Sequence, residues 1–303
     1  MKKLILLLIA LILLVVLVPQ INNDADEFNP ITNSTPTASA EATVTPVTPS
    51  AQNPEVAIPA EYQALSFFKP ELIDRYIAFK ELNPEYDYKK AISYVNIGLD
   101  KPFYSIIHLI DEPFSTTVLV NKYQKLPDDF EPELIEIPSS MCAPGVSNQY
   151  LQKDAKEAFE RMHYDAKELG LNITAYGTYR SISLQHNIWN NKVDSGRTIE
   201  DVDSLNSRGG HSEHHTGLAI DVIKNNYTVE TSKEYLWYKD NAHNYGFILR
   251  YPEGKENITG YLFEPWHLRY LGVELATEIY NSALTYEEYY VMNLEQYISD
   301  PLN

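Results

Sequence analysis

The chain has 303 residues, 44% of them apolar, enough for one sizeable buried core. Its 42 acidic and 24 basic residues leave a formal charge of −18, which argues against a nucleic-acid partner, because phosphate binding needs a basic face. A single cysteine, Cys142, excludes an intramolecular disulfide framework and a cysteine-built metal cluster.

The N-terminus reads MKK and then fifteen apolar residues, Leu4 to Val18, before Pro19. This is the upper end of a signal-peptide core and shorter than the roughly 20 residues of a full span. No A-x-A cleavage pattern follows, and no cysteine that could take a lipid anchor. Residues 1–21 therefore read as a signal anchor in preference to a cleaved signal peptide. Either reading puts the remainder outside the cytoplasm, with Lys2 and Lys3 inside. Residues 22–59 change to Ser, Thr, Pro, Ala and Asn, a composition that cannot bury enough apolar surface to fold and reads as an extended tether.

Globular patterning begins near Glu61. PELIDRYIAFKELNP has helical spacing and stops at a proline, while ISYVNIGL and STTVLVNKY read as strands or extended segments. Residues 60–126 form a first unit on this reading, and 127–303 a second. Gln152 to Gly170 is an amphipathic helix ending on glycine. NITAYGTY reads as a strand leading to Arg180, SISLQHNIWNNKV as helix, and TGLAIDVI as a half-buried strand with Ala219 and Asp221 on the face opposite Leu218, Ile220 and Val222. KEYLWYKDNAHNYG reads as helix and FILRY as a short strand. The tail from Val273 to Tyr297 is helical, with a break around Thr285. Strands and helices mix without regular alternation, so the class is α+β.

The chemistry concentrates in HSEHHTGLAIDV, where three of the eight histidines lie within five residues. Histidine and aspartate are good zinc ligands, and a catalytic zinc uses three protein groups. Asp221 sits in an apolar strand, which is costly for a charge unless a metal or an arginine pairs with it. Downstream, FEPWHLRYLG offers Glu264 and His267 three residues apart. Three ligands and one general base are the inventory of a zinc hydrolase. HSEHH is not the H-E-x-x-H helix motif, because Ser212 holds the glutamate's place. The residues alone do not choose among the histidines.

HSEHHTGLAID resembles the S-x-H-x(6)-D signature of the zinc D-alanyl-D-alanine carboxypeptidases related to the vancomycin-resistance carboxypeptidase, and EPWHLRY resembles their second metal segment. The resemblance extends through TYRSISLQ and GFILRYPEGKENITGY and covers roughly Gln152 to Gly272. It implies a small antiparallel sheet flanked by helices and carrying one Zn2+, a hedgehog/D-Ala-D-Ala peptidase-like fold, within residues 127–303. It implies His214, Asp221 and His267 as ligands, Glu264 as catalytic base and Arg180 facing the oxyanion of the attacked carbonyl. Gln185 and Ser212 match positions that contact the substrate's terminal residue, and Trp266 is read as pocket wall. Gly209, His215 and Thr178 depart from the residues common at the matching positions. The implied activity is removal of the C-terminal D-alanine from peptidoglycan stem peptides by a monomer held at the membrane. The alternatives are an L,D-carboxypeptidase on tetrapeptide stems and a non-catalytic, zinc-containing cell-wall-binding module.

Overall fold

The computed structural model describes residues 57–294. The anchor segment, the tether up to residue 56 and the tail from residue 295, with the end of the helix expected to reach Tyr297, lie outside the described residues. No helix among the described residues is long and apolar enough to cross a membrane.

Four antiparallel strands position the site. In spatial order they are Ala175–Gly177, Ala219–Val222, His267–Tyr270 and Phe247–Leu249. Side chains alternate along a strand, so registered pairs sort into two faces. Ile220 opposite Leu268, Leu249 opposite Leu268 and Val222 opposite Ala175 share one face. Asp221 opposite His267, with Arg269 opposite Ala219 and Ile248, share the other.

The Lys153–Glu168 helix covers the apolar face. Its Ala155, Phe159, Met162 and Ala166 recur at helical spacing and join Ile220, Val222, Phe247 and Leu268 in the main core. The helix stops before Gly170, whose φ of 72° is the left-handed conformation glycine adopts without a Cβ penalty. On the other face, Ile248 packs with Leu119, Leu271, Ala276, Ile279 and Tyr286, largely from the helices Val273–Ser282 and Tyr286–Asn293. Thr285, where the tail was expected to break, caps the second of these and forms a reciprocal capping box with Glu288.

Two expectations change. The Ala219–Val222 strand, expected to be half-buried, is buried at all four positions. Its alternation separates an apolar buried face from a polar buried face, not core from solvent. ISYVNIGL is a helix, not a strand: Tyr88–Ile97 is capped by the Asp87 side chain, which accepts from Lys90 N–H, and ends at Gly98 with φ 101°. Its β-branched residues suggest a strand, but Ala91, Ile92, Val95 and Tyr94 fall on one helical face that buries against neighbouring helices. STTVLVNKY forms no ladder until Gln124–Lys125, which pairs in parallel with His108–Leu109.

Residues 57–126 reach the sheet in two ways. The helices Ile73–Leu82 and Tyr88–Ile97 pack through Tyr76, Ile92 and Val95, and Ile97 meets Val291 of the last helix. Val118, Val120 and Leu126 enter the main core. Phe159 is fully buried there, so Phe159→Ala should cost about 3–5 kcal/mol of folding free energy, read as a lowered midpoint in urea unfolding.

Candidate metal centre

Each candidate ligand is placed by a different local device. His214 sits in a short 3-10 turn, Glu213–Thr216, whose N-cap Ser212 accepts the His214 N–H through its hydroxyl. The turn ends at Gly217, with φ 68°, where a Cβ would meet Leu134 Cδ2 at 2.6 Å. Asp221 and His267 are placed by the sheet, directly opposite each other on the two central strands. Gly177, across from Asp221 on the other side, leaves room for its carboxylate: a Cβ there would lie 3.0 Å from Asp221 Oδ2.

These three side chains converge. Asp221 Oδ1 lies 3.4 Å from His214 Nε2 and 3.2 Å from His267 Nδ1. All three residues are buried, and their ligand atoms fall within 4.8 Å of one another. His214 Nε2 and Asp221 Oδ1 are buried without a hydrogen-bond partner among the described residues, an expensive arrangement unless a cation lies between them. Tetrahedral zinc with ligand bonds of about 2.0–2.1 Å holds its ligand atoms about 3.3 Å apart. Two imidazoles and one carboxylate at these separations fit zinc in both chemistry and spacing.

The electrostatics follow from burial and proximity. Burial pushes His214 down to about 4, so its imidazole is neutral, the form that can bind a metal. Burial opposes ionisation of Asp221, but the two imidazoles outweigh it and hold the carboxyl below the usual range. His267 is lifted to about 9: burial works against its charge, and the Asp221 and Glu213 carboxylates overcome that. Glu264 stands 3.5 Å from His267 Nδ1 through Oε2. Burial raises its carboxyl to about 8, within range of accepting and returning a proton near neutrality.

Arg180 lies beside the centre, with Nη2 3.8 Å from Asp221 Oδ2. Its Nη1 donates to Gln185 Oε1 at 2.8 Å, while Gln185 Nε2 donates to the Ser207 carbonyl at 2.7 Å. Gln185, expected to touch substrate, is buried and spends both ends of its amide holding Arg180 to the 207 loop. Trp266 is 7% exposed and packs edge-on against Tyr227, and its carbonyl accepts the Val222 N–H at 3.0 Å. Ser212 is buried with its hydroxyl engaged at the cap.

The histidine cluster resolves into three jobs. His214 faces Asp221, and its Nδ1–H donates to the Thr178 carbonyl at 2.7 Å, which leaves the Nε2 lone pair open toward Asp221, as a metal ligand requires. His215 Nδ1–H donates to the Arg180 carbonyl at 2.6 Å, and its Nε2 accepts from Gly210 N–H at 3.2 Å. His211 Nδ1–H donates to the Asn121 carbonyl at 2.8 Å, and its ring meets Tyr104 edge-on. Thr178 also ties the entry strand down, accepting from Tyr150 N–H and donating to Gln149 Oε1.

Residues 148–273 match the VanY family of D-alanyl-D-alanine carboxypeptidases. YodJ of Bacillus subtilis (strain 168), a protein with a carboxypeptidase name, is 36% identical over 192 residues, 61% of this chain and 70% of that one. This chain belongs to the VanY family. The family is zinc-dependent, in agreement with the donor set described above, and makes the chain a zinc hydrolase. Among solved structures, the LdcB LD-carboxypeptidase is 34% identical with a TM-score of 0.57, covering 61% of this chain and 90% of its own. VanYB in complex with D-alanine-D-alanine is 29% identical with a TM-score of 0.51, covering 59% of this chain and 98% of its own.

Three residues that pack on this VanY-type centre were not singled out from the sequence: Glu213, Arg250 and Arg269, all buried. The signal was available, because Arg250 directly follows the apolar strand Phe247–Leu249 and Arg269 lies inside the strand His267–Tyr270, as Asp221 lies inside its own. Metal uptake tests the ligand set directly. The protein should take up one zinc ion, and His214→Ala and Asp221→Asn should each abolish stoichiometric uptake, measured by metal analysis after gel filtration. Because imidazoles bind metal only when deprotonated, zinc affinity should fall as pH is lowered.

Proposed function

We propose that the chain removes the C-terminal D-alanine from peptidoglycan stem peptides as an exported, membrane-tethered D,D-carboxypeptidase. The observation that carries this reading is the convergence of His214 Nε2, Asp221 Oδ1 and His267 Nδ1, with the Glu264 carboxylate 3.5 Å from the last. His214, Asp221 and His267 would hold the metal, which when bound supplies Lewis acidity toward water and a peptide carbonyl.

Glu264 takes the proton of the attacking water as a general base and hands it to the leaving amine nitrogen as a general acid. Its burial suits both halves of that transfer. The Arg180 guanidinium, fixed by Gln185, faces the charge that develops on the carbonyl oxygen and needs no reorganisation to meet it. Ser212 caps the turn that carries His214, and Trp266 directly precedes His267. Water is the nucleophile, so no covalent enzyme intermediate is required.

The apolar run Leu4–Val18 and the Ser/Thr/Pro-rich stretch after it support tethering to the outer face of a membrane, where a cell-wall substrate is reached at a distance. A second reading, cleavage of the L,D bond of tetrapeptide stems, is favoured by the likeness to the LdcB LD-carboxypeptidase. The full chain incubated with muropeptides ending in D-Ala-D-Ala, and separately with tetrapeptide stems, separates the two. Loss of one alanine from the pentapeptide alone supports the first; loss from the tetrapeptide alone moves the assignment to the second. Absence of cleavage by zinc-loaded protein overturns both. Glu264→Gln should keep zinc and lose about 10²–10⁴-fold in kcat.

A further inference from the structure

Behind His267 lies a charge network that the proposed mechanism does not use. The Glu213 Oε1 atom accepts from Arg250 Nε at 2.7 Å and from Arg269 Nη1 at 2.8 Å. Arg250 is also clasped by Glu287, with Nη1 and Nη2 donating to its two carboxylate oxygens at 2.9 and 2.6 Å. Arg269 Nη2 donates to the carbonyls of Thr116 and Val118 at 2.9 and 2.8 Å. All four charged side chains are essentially inaccessible to solvent. Two carboxylates and two guanidiniums cancel, so the network is neutral, but desolvation makes such a cluster no more stabilising than a well-packed apolar core.

The arginines occupy Glu213 Oε1 and leave Oε2 free. That second oxygen faces His267 Nε2 at 3.5 Å, and neither atom has a hydrogen-bond partner among the described residues. His267 turns its other nitrogen, Nδ1, toward Asp221. The imidazole can offer a lone pair at Nδ1 only if its proton is on Nε2, and Glu213 is the acceptor placed to keep it there. His214 is oriented in the opposite sense, with Nδ1–H on the Thr178 carbonyl and Nε2 to the metal.

We infer that Glu213 is a positioning residue for the zinc site: held by Arg250 and Arg269, it accepts the His267 Nε2–H and fixes the tautomer and ring plane that present Nδ1 to the ion. Glu287, in the last described helix and beyond the family-matched residues 148–273, completes the charge balance without facing His267. The inference rests on the metal reading of His214, Asp221 and His267.

The alternative is that Glu213 only neutralises two buried arginines, and a matched pair of variants separates the two. Glu213→Gln and Glu287→Gln each remove one charge from the same network, and both should lower the melting temperature. In Glu213→Gln one amide must serve two arginines and an imidazole N–H, and it cannot present oxygen to both sides. Its zinc affinity, read by chelator competition on the full chain, should fall about 10–100-fold, while Glu287→Gln stays within a few-fold of wild type. Equal affinity in Glu213→Gln and wild type overturns the inference alone; a wild type that takes up no zinc overturns the metal reading and the inference together.

A measurement on the wild type covers the case in which Glu213→Gln does not fold. Nitrogen-15 NMR of the histidine-labelled, zinc-loaded chain should place the His267 proton on Nε2, protected from exchange, with Nδ1 bound to metal. A proton on Nδ1 overturns the inference.

Discussion

The antiparallel register that sets Asp221 opposite His267 is the constraint on which the site depends. Opposed residues on neighbouring strands come within a few ångströms on the same face of the sheet. A slip of one residue would turn both side chains to the apolar face and bring Ile220 and Leu268 to the metal side. The core packing of Ile220, Val222 and Leu268 against the Lys153–Glu168 helix therefore fixes the spacing of Asp221 and His267 as well as the fold. Only His214 comes from outside the sheet, on a turn whose entry is capped by Ser212 and whose exit is a left-handed glycine.

A sheet with one charged buried face needs compensation on every side. Asp221 is set among His214, His267 and Arg180, and Glu213 is set between two arginines. The compensation reaches well beyond the family-matched segment. The carbonyls of Thr116 and Val118 hold Arg269, the Asn121 carbonyl holds His211, and Glu287 holds Arg250. Lys122, buried above the ring of Tyr261 and donating to the Asp203 carbonyl, has its ammonium lowered to about 8 by desolvation. The irregular path of residues 116–121 makes sense in these terms: the carbonyls of Thr116, Thr117, Val118 and Asn121 are taken by the side chains of Arg269, Tyr286, Arg269 and His211 instead of by a strand partner.

Two polar side chains beside the centre are tied into the scaffold. Gln185, a polar side chain expected at the substrate, holds Arg180 in place, and His215, a potential ligand, joins the Arg180 backbone to Gly210. Both hold Arg180 in place beside Asp221. Such fixed positioning is what makes a charged donor effective in a transition state, since no energy goes to moving it at the moment of reaction.

Much of this was legible in the chain itself. The amphipathic helix ending at Gly170, the strands around Asp221 and at FILRY, the break at Thr285 and the α+β class follow from periodicity and capping, which are local properties of consecutive residues. The motif segments around His214, Asp221, Glu264 and His267 were readable for the same reason, since each is contiguous. The helix at Tyr88–Ile97 was misread because β-branched residues favour strands only weakly, and burial against other helices overrode that preference. Tertiary structure alone decided that the Ala219–Val222 strand has two buried faces, which nitrogen of His214 and of His267 faces Asp221, and that Glu213, Arg250, Arg269 and Glu287 form one network. Those facts depend on distances between residues far apart in the chain, and local patterning carries no information about which buried charge will find which partner.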